Sequence, residues 1–401
     1  MKNYLLISGW KEHGGRAGMN LLSYDSKTGA VSFIRDCCPG LSCNNTVWNP
    51  ETGILYITNE LHENPDYPKG GGGLIYAFRF DREKEDFVKL SRVEASCPCP
   101  AYLQLDSTGR YLLYACHSSF NAVTKAEKGE DGYWHTRVIY DDSIVGMYRL
   151  NPDGSIGPLV DVKKHDAYPV AGRGLHSHPH TMKRSPDGRL FACCDKGDGH
   201  IYFYKIDYEK EELVLASEPY KDDTGISPRY CVYHPERKWF FCNHERDMTV
   251  SAFNYDDDGR LSLIGTVSAV DESLCECKTS EVRKALHGVD AAPPADGLWP
   301  LEQQGFVMSE DGRYLYDMLN GADAVSVIEI NQENGALTRK QVVPVDGRWI
   351  RGCALSPDGR FLAVTALQEG GVYIYPVGSD GTLGVPVSHA PVEGGSYATF
   401  I

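Results

Sequence analysis

The sequence predicts an all-β chain of repeated four-stranded antiparallel sheets closed into a ring, and three observations carry that reading. Six segments share a tight-turn tag resembling Ser-Pro-Asp-Gly-Arg: Asn49-Pro50-Glu51-Thr52, Asp106-Ser107-Thr108-Gly109, Ser185-Pro186-Asp187-Gly188, His234-Pro235-Glu236-Arg237, Ser309-Glu310-Asp311-Gly312 and Ser356-Pro357-Asp358-Gly359. Each tag joins two short apolar runs, the second being, for example, Arg189-Leu190-Phe191-Ala192-Cys193-Cys194 or Arg360-Phe361-Leu362-Ala363-Val364-Thr365. The pattern returns every ~45 to 80 residues, as expected of supersecondary units that bury their apolar faces against one another.

The elements follow in chain order. Three N-terminal strands, near 4–8, 19–24 and 31–35, lack an innermost partner. Each tagged unit then reads strand, turn, strand, third strand, polar turn, fourth strand; in the Ser185 unit these lie near 180–184, 189–194, 199–206 and 213–217. The third strands, such as Ile201-Tyr202-Phe203-Tyr204 and Val372-Tyr373-Ile374-Tyr375, are mostly rich in aromatic and β-branched residues. Asp258-Gly259, Asp153-Gly154 and Asn334-Gly335 supply the turn before the last strand. Ser396-Tyr397-Ala398-Thr399-Phe400-Ile401 resembles the first strand of a repeat and supplies the one missing from the N-terminal unit. The expectation is a single seven-bladed β-propeller over 1–401, four antiparallel strands per blade, its chain ends paired in blade 1. An open array would leave sheet edges unprotected. Insertions near 62–73, 120–136 and 271–301 interrupt the period on one rim and are expected to cover it. No segment reads as an amphipathic helix.

Composition narrows the partners. A net charge of −15 disfavours nucleic acid and anionic membrane surfaces, although a local cluster of cations can still attract a small anion. The first apolar stretch is too short for a secretory signal core, and no run approaches a membrane span. Thirteen cysteines, an odd count with no framework spacing and no Cys-x-x-Cys pair, point to reduced thiols in a cytoplasm. Monomer and homodimer both remain open.

Aligning the repeats brings distant residues together. Five residues before each tag the innermost strand begins beside the channel, at Asn44, Ala101, His180, Arg229, Gln304 and Arg351. Eleven residues after the first tag residue the second strand ends on the same face, at Glu60, His117, Lys196, Glu245, Asn320 and Leu367. A polar ring at one mouth follows, and its residue types can do chemistry. Imidazole moves a proton near neutrality, guanidinium grips a carboxylate or phosphate and steadies an oxyanion, and Glu245 can orient His180, neutralise an arginine or act as base. A bland alternative is a channel lined by polar residues that only finish the strand ends. The run His176-Ser177-His178-Pro179-His180 tempts a metal reading, because alternating strand residues share a face. Pro179 disturbs the strand and no carboxylate or cysteine lies nearby in sequence, so a rim loop with one functional histidine is preferred, and no metal or other cofactor is expected. Cys193-Cys194 read as core thiols.

Four segments carry a family likeness: His180-Thr181-Met182-Lys183-Arg184-Ser185-Pro186-Asp187-Gly188, Ser227-Pro228-Arg229-Tyr230, Asn243-His244-Glu245 and Arg351-Gly352-Cys353-Ala354-Leu355-Ser356-Pro357-Asp358-Gly359. With them the chain resembles the seven-bladed lactonases, which include bacterial 6-phosphogluconolactonases of the propeller type and fungal carboxymuconate cyclases. The resemblance implies a metal-independent site with His180, Arg229 and Glu245 as its catalytic and binding group. Arg351, Glu60, His117, Lys196, His178 and Asn320 are expected to contact a small anionic substrate. The chain departs from many members in carrying Tyr102 and Tyr230 where they have His, and Asn320 where they have Arg. The missing cation weighs against a phosphosugar. The expected activity is 6-phosphogluconolactonase-like hydrolysis of a sugar-acid lactone, phosphorylated or not, with His180 activating water, Glu245 orienting His180, and Arg229 and Arg351 holding the anion and polarising the carbonyl. A muconate-type lactonising cyclase and a non-catalytic binding propeller are the alternatives.

Overall fold

The turn tags fold as their chemistry requires. In three of them the serine hydroxyl donates to the aspartate two residues on, at 2.6 Å (Ser185–Asp187, Ser309–Asp311, Ser356–Asp358). The same oxygen accepts the backbone N–H of Leu190, Tyr314 or Phe361 at 2.9–3.0 Å. The fourth tag position must be left-handed to return the chain, and Gly188, Gly312 and Gly359 adopt φ of 67–74° there. Each turn therefore delivers its second apolar run antiparallel to its first.

The computed structural model describes residues 2–11, 17–118, 122–165, 176–224, 227–270 and 302–401. They build seven sheets around one axis. The innermost strands are Gly395–Phe400 in blade 1, then Cys43–Asn49, Pro100–Leu105, Lys183–Arg184, Pro228–Tyr233, Glu302–Met308 and Arg348–Leu355 in blades 2 to 7. Blade 1 takes its other three strands, Asn3–Gly9, Met19–Tyr24 and Val31–Cys37, from the opposite end of the chain, with Ile7 opposite Ala398. Ser396 Oγ seals the seam by donating to the carbonyls of Ser8 (3.1 Å) and Cys43 (2.7 Å). No α-helix occurs among the described residues.

Apolar faces of neighbouring blades supply the core. Between blades 2 and 3, for example, Ile54, Tyr56 and Ile75 pack with Leu103, Leu112, Tyr114 and Ile144. Such wedges hold each blade at a fixed angle to the next, and so fix what faces the channel.

Two expectations need correction. The innermost strand of blade 4, expected over 180–184, is reduced to Lys183–Arg184, preceded by a single bridge between Pro179 and Asp195. Pro179 has no N–H for a ladder. The insertion after the second strand of blade 3 is a separate hairpin, Ala122–Lys128 against Trp134–Tyr140. Residues 123–138 are exposed apart from Gly129, on both faces of the hairpin, so it stands off the rim instead of covering it. The insertion at 62–73 closes on itself through a Glu63–Gly71 bridge. The one at 271–301 lies outside the described residues.

Candidate active site at the channel mouth

The channel-facing positions share a backbone feature. The ladder between first and second strands slips at Asn44-Asn45, at Ala101, at Arg229-Tyr230, at Gln304-Gly305 and at Arg351-Gly352. A bulge re-aims the side chain it carries. Cys99, Ser227 and Trp349, each two residues before such a position, hold left-handed φ of 56°, 66° and 62°. A tryptophan in that conformation is strained, and strain of this kind gathers where surrounding structure enforces a special geometry.

The bulges bring the candidate residues into one network. The guanidinium of Arg229, 3% exposed, donates to His180 Nε2 from Nε (3.2 Å) and Nη2 (3.1 Å), and to the Gln303 carbonyl from Nη1 (2.8 Å). Its Nε also lies 3.1 Å from Glu245 Oε2, which accepts Lys196 Nζ at 2.9 Å. Arg246 reaches Glu245 Oε1 at 3.4 Å and Glu302 at 3.5 Å. On the other flank the His180 ring lies parallel to that of His117 with centroids 5.7 Å apart, and His117 Nε2 is 3.4 Å from Glu60. His178 stacks on His117 at 5.3 Å and meets His176 edge-on at 4.3 Å. Arg351 donates to Gln304 Oε1 (3.1 Å) and Asn44 Oδ1 (3.2 Å), its guanidinium 3.5 Å from the centroid of the Trp10 ring. Asn320 pairs with Glu302 across the blade 6 ladder. All nine sequence-derived site residues thus border this mouth.

Beneath Arg229 lies a polar floor. Asp317, fully buried, accepts from Asn243 at 2.8 Å and from the Gln303 amide, while Asn243 also accepts the Tyr230 N–H at 2.9 Å. Burial raises the Asp317 carboxyl to about 7 despite those donors. This floor fixes the two residues, Arg229 and Tyr230, that frame His180, whose ring meets Tyr230 edge-on at 5.0 Å.

Burial and charge set the protonation states. Burial pushes the His180 imidazole well below its ordinary 6.5, helped by the Arg229 and Lys196 cations. His178 falls similarly, and His176 reaches about 4. Burial works against the Glu245 carboxylate, but Lys196, Arg229 and Arg246 outweigh it and hold the group below the usual range. Burial, then Arg229, lowers Arg351 to about 10. At neutral pH the mouth therefore holds neutral imidazoles beside charged guanidinium groups. Because Arg229 donates to Nε2, His180 carries its proton on Nδ1, which has no hydrogen-bond partner among the described residues. His178 donates Nδ1–H to the Ser177 carbonyl at 2.7 Å, which leaves the lone pair on Nε2.

One sequence expectation changes here. Glu245 has no hydrogen bond to His180 and does not orient it; of the roles weighed for it, it takes that of neutralising an arginine, holding Arg229 and Lys196, while Arg229 orients the imidazole. Sequence reasoning also missed Trp10, which with Trp349 and Leu367 forms an apolar wall on the blade 7 and blade 1 side. Trp10 follows the second strand of blade 1 as Glu60 follows that of blade 2, so the repeat alignment extended to the first blade finds it. Away from the mouth, ligand atoms of Asp222, Cys242 and His244 lie within 4.8 Å of one another. His244 Nε2 is 2.9 Å from Asp222 and its Nδ1 faces Thr249, so this trio is a satisfied buried rung.

A sequence model of the family described as lactonase, 7-bladed beta-propeller, matches residues 4–400. The chain belongs to that lactonase family. Among lactonase relatives, a 6-phosphogluconolactonase from Bacillus subtilis is 22% identical over 381 residues, covering 94% of this chain and 91% of that protein. An uncharacterised protein of Staphylococcus aureus strain USA300 is 32% identical over 325 residues, covering 78% and 84%. The same fold is seen in a periplasmic gluconolactonase from Pseudomonas aeruginosa (TM-score 0.79, 21% identity, 100% and 99% of the two chains). A putative 6-phosphogluconolactonase from Bacteroides fragilis gives a TM-score of 0.77 at 19% identity, covering 100% and 98%.

Proposed function

We propose that this lactonase-family protein hydrolyses the lactone of a sugar acid at the channel mouth, without a metal. One observation carries the reading: a neutral imidazole, His180, is held lone pair to donor by a buried guanidinium, Arg229. When a lactone carbonyl enters, its oxygen takes over the Arg229 donors as negative charge develops, and the released Nε2 accepts a proton from the attacking water. The C–O ring bond then breaks, and the imidazolium returns the proton to the departing ring oxygen. Lactones are already reactive, so proton transfer and oxyanion stabilisation are sufficient.

The surroundings supply binding. The side chain of Asn320, 1% exposed, has no hydrogen-bond partner for either amide atom among the described residues, and a polyol substrate offers both donors and acceptors. Arg351 presents a stacked guanidinium suited to one carboxylate-like or hydroxyl-rich group. Against the cations Lys196, Arg229, Arg246 and Arg351 stand the carboxylates Glu245, Glu302 and Glu60, so only about one positive charge is left over for a phosphate dianion. An unphosphorylated aldonolactone fits this balance better. The buried thiols, none in a disulfide among the described residues, favour a reducing compartment such as the cytoplasm.

The test is a panel of aldonolactones, phosphorylated and not, assayed with the wild type, His180→Ala and Arg229→Ala. Hydrolysis that falls at least a hundredfold in both variants is expected. A wild type no faster than its variants removes the catalytic reading, and turnover of muconate-type substrates alone moves it to the cyclase.

A further inference from the structure

Among the described residues the hairpin on blade 3 is a two-stranded sheet with no third strand, Ala122–Lys128 paired there only to Trp134–Tyr140. At ~3.3 Å per residue each strand extends about 23 Å. Isolated hairpins are marginal in water, and an open strand edge invites pairing. Its register decides which edge can pair, and with what.

Gly129 N–H donates to the Tyr133 carbonyl at 2.9 Å, which makes 129–133 a hydrogen-bonded pair. Pairs alternate in an antiparallel ladder, so 127–135, 125–137 and 123–139 are bonded, while 124, 126 and 128 point their N–H and C=O groups away from the partner strand. A twofold axis through Ala126 would set Ala126 opposite Ala126 of a second copy, and Thr124 opposite Lys128, all through these outward groups. The same axis places Lys125 opposite Glu127 of the other copy in a close, non-hydrogen-bonded pair, twice. Charges then alternate both along and across the strands. Within one chain Glu127 already binds Arg137 at 2.9 Å, whereas Lys125 lies opposite Arg137 and has no carboxylate partner among the described residues. The outer edge of Trp134–Tyr140 lacks this match, since a twofold axis at Thr136 sets His135 against Arg137.

We infer that two copies of this chain associate through the Ala122–Lys128 edge, forming a four-stranded intermolecular sheet in which Lys125 meets Glu127 of the second copy. The contact is isologous and closed. It is small, so association is concentration-dependent. It does not rest on the lactonase reading.

The experiment is sedimentation velocity of the full chain over a concentration series, with far-ultraviolet circular dichroism of each variant to confirm folding. A reversible dimer is expected. Lys125→Glu sets two carboxylates together across the axis and should weaken the dimer by about tenfold or more. Within its own hairpin the new Glu faces Arg137, so melting of the hairpin does not explain the loss. Glu127→Lys should weaken the dimer likewise, and the double variant should restore it to within about threefold. Ala126→Pro should abolish the dimer while sparing the hairpin, because only an outward N–H is removed. A chain that stays monomeric throughout, a dimer indifferent to Ala126→Pro, or a double variant that does not recover each overturns the inference.

Discussion

Replacing Glu245 by Gln would leave three cations around an uncharged amide. Lys196 (2.9 Å), Arg229 (3.1 Å) and Arg246 (3.4 Å) all converge on this carboxylate, and Arg229 and Glu245 are each 3% exposed. Removing one partner of a buried ion pair costs 3–5 kcal/mol, and the lower figure applies here because Lys196 and Arg246 keep some contact with solvent. With an unfolding entropy of about 2.1 cal/mol/K per residue over 401 residues, a loss of about 3 kcal/mol lowers Tm by about 4 °C. Calorimetry and denaturant titration at neutral pH measure both quantities. A further change of Lys196 to Met in the Glu245→Gln background should recover at least about 1 kcal/mol, because one uncompensated charge leaves with it. The folded-state pKa of Glu245 is depressed, so its contribution is present above the ordinary 4.5 and is lost as pH falls through the folded value. The gap between wild type and variant should therefore stay constant near neutrality and close only in strong acid. A destabilisation below about 1 kcal/mol at neutral pH would mean that the cluster is solvated and the argument for a desolvated mouth wrong.

Three more outcomes are expected. Since burial depresses the pKa values of His176, His178 and His180 below 6.5, the acid limb of the kcat/KM profile should lie below 6.5; a limb at or above that value refutes neutral, desolvated imidazoles. A Cβ at Gly197 would sit 1.8 Å from the His176 carbonyl oxygen, so Gly197→Ala should displace the 176–178 segment and cost at least about tenfold in kcat, read from steady-state kinetics on folded protein. Trp10→Ala removes the aromatic face over Arg351, worth ~1–2 kcal/mol, and should raise KM roughly five- to thirtyfold with little change in kcat; an unchanged KM would show that Arg351 needs no such support.

Much of this was legible from one repeat. Turn tags gave the strand pairs, because a Ser-x-Asp-Gly sequence carries its own hydrogen bonds and its own left-handed residue. The spacing of sixteen residues between Arg229 and Glu245 placed both at one end of an antiparallel pair, and they lie 3.1 Å apart. Partner choice was not legible. Whether Glu245 meets His180 or Arg229 depends on bulges that rotate individual side chains, and a bulge leaves no residue-type signature in this chain: Ala101, Arg229 and Gln304 all occupy one. The shortened first strand of blade 4 was half legible, since Pro179 signalled disturbance but not its extent. Trp10 was overlooked because the first blade has no tag before its second strand.

The seam in blade 1 sets a schedule for biosynthesis. Gly395–Phe400 is the last of the described strands to be translated, yet it must dock beside Asn3–Gly9, among the first. Blades 2 to 7 can form one after another as the chain emerges, but the circle stays broken until that strand arrives. Until then the inner edge of the first blade is bare, and a chaperone that shields strand edges would have its longest task there. Assembly of the channel mouth, which needs blades 2 to 7 fixed around a single axis, thus waits for the last of the described strands.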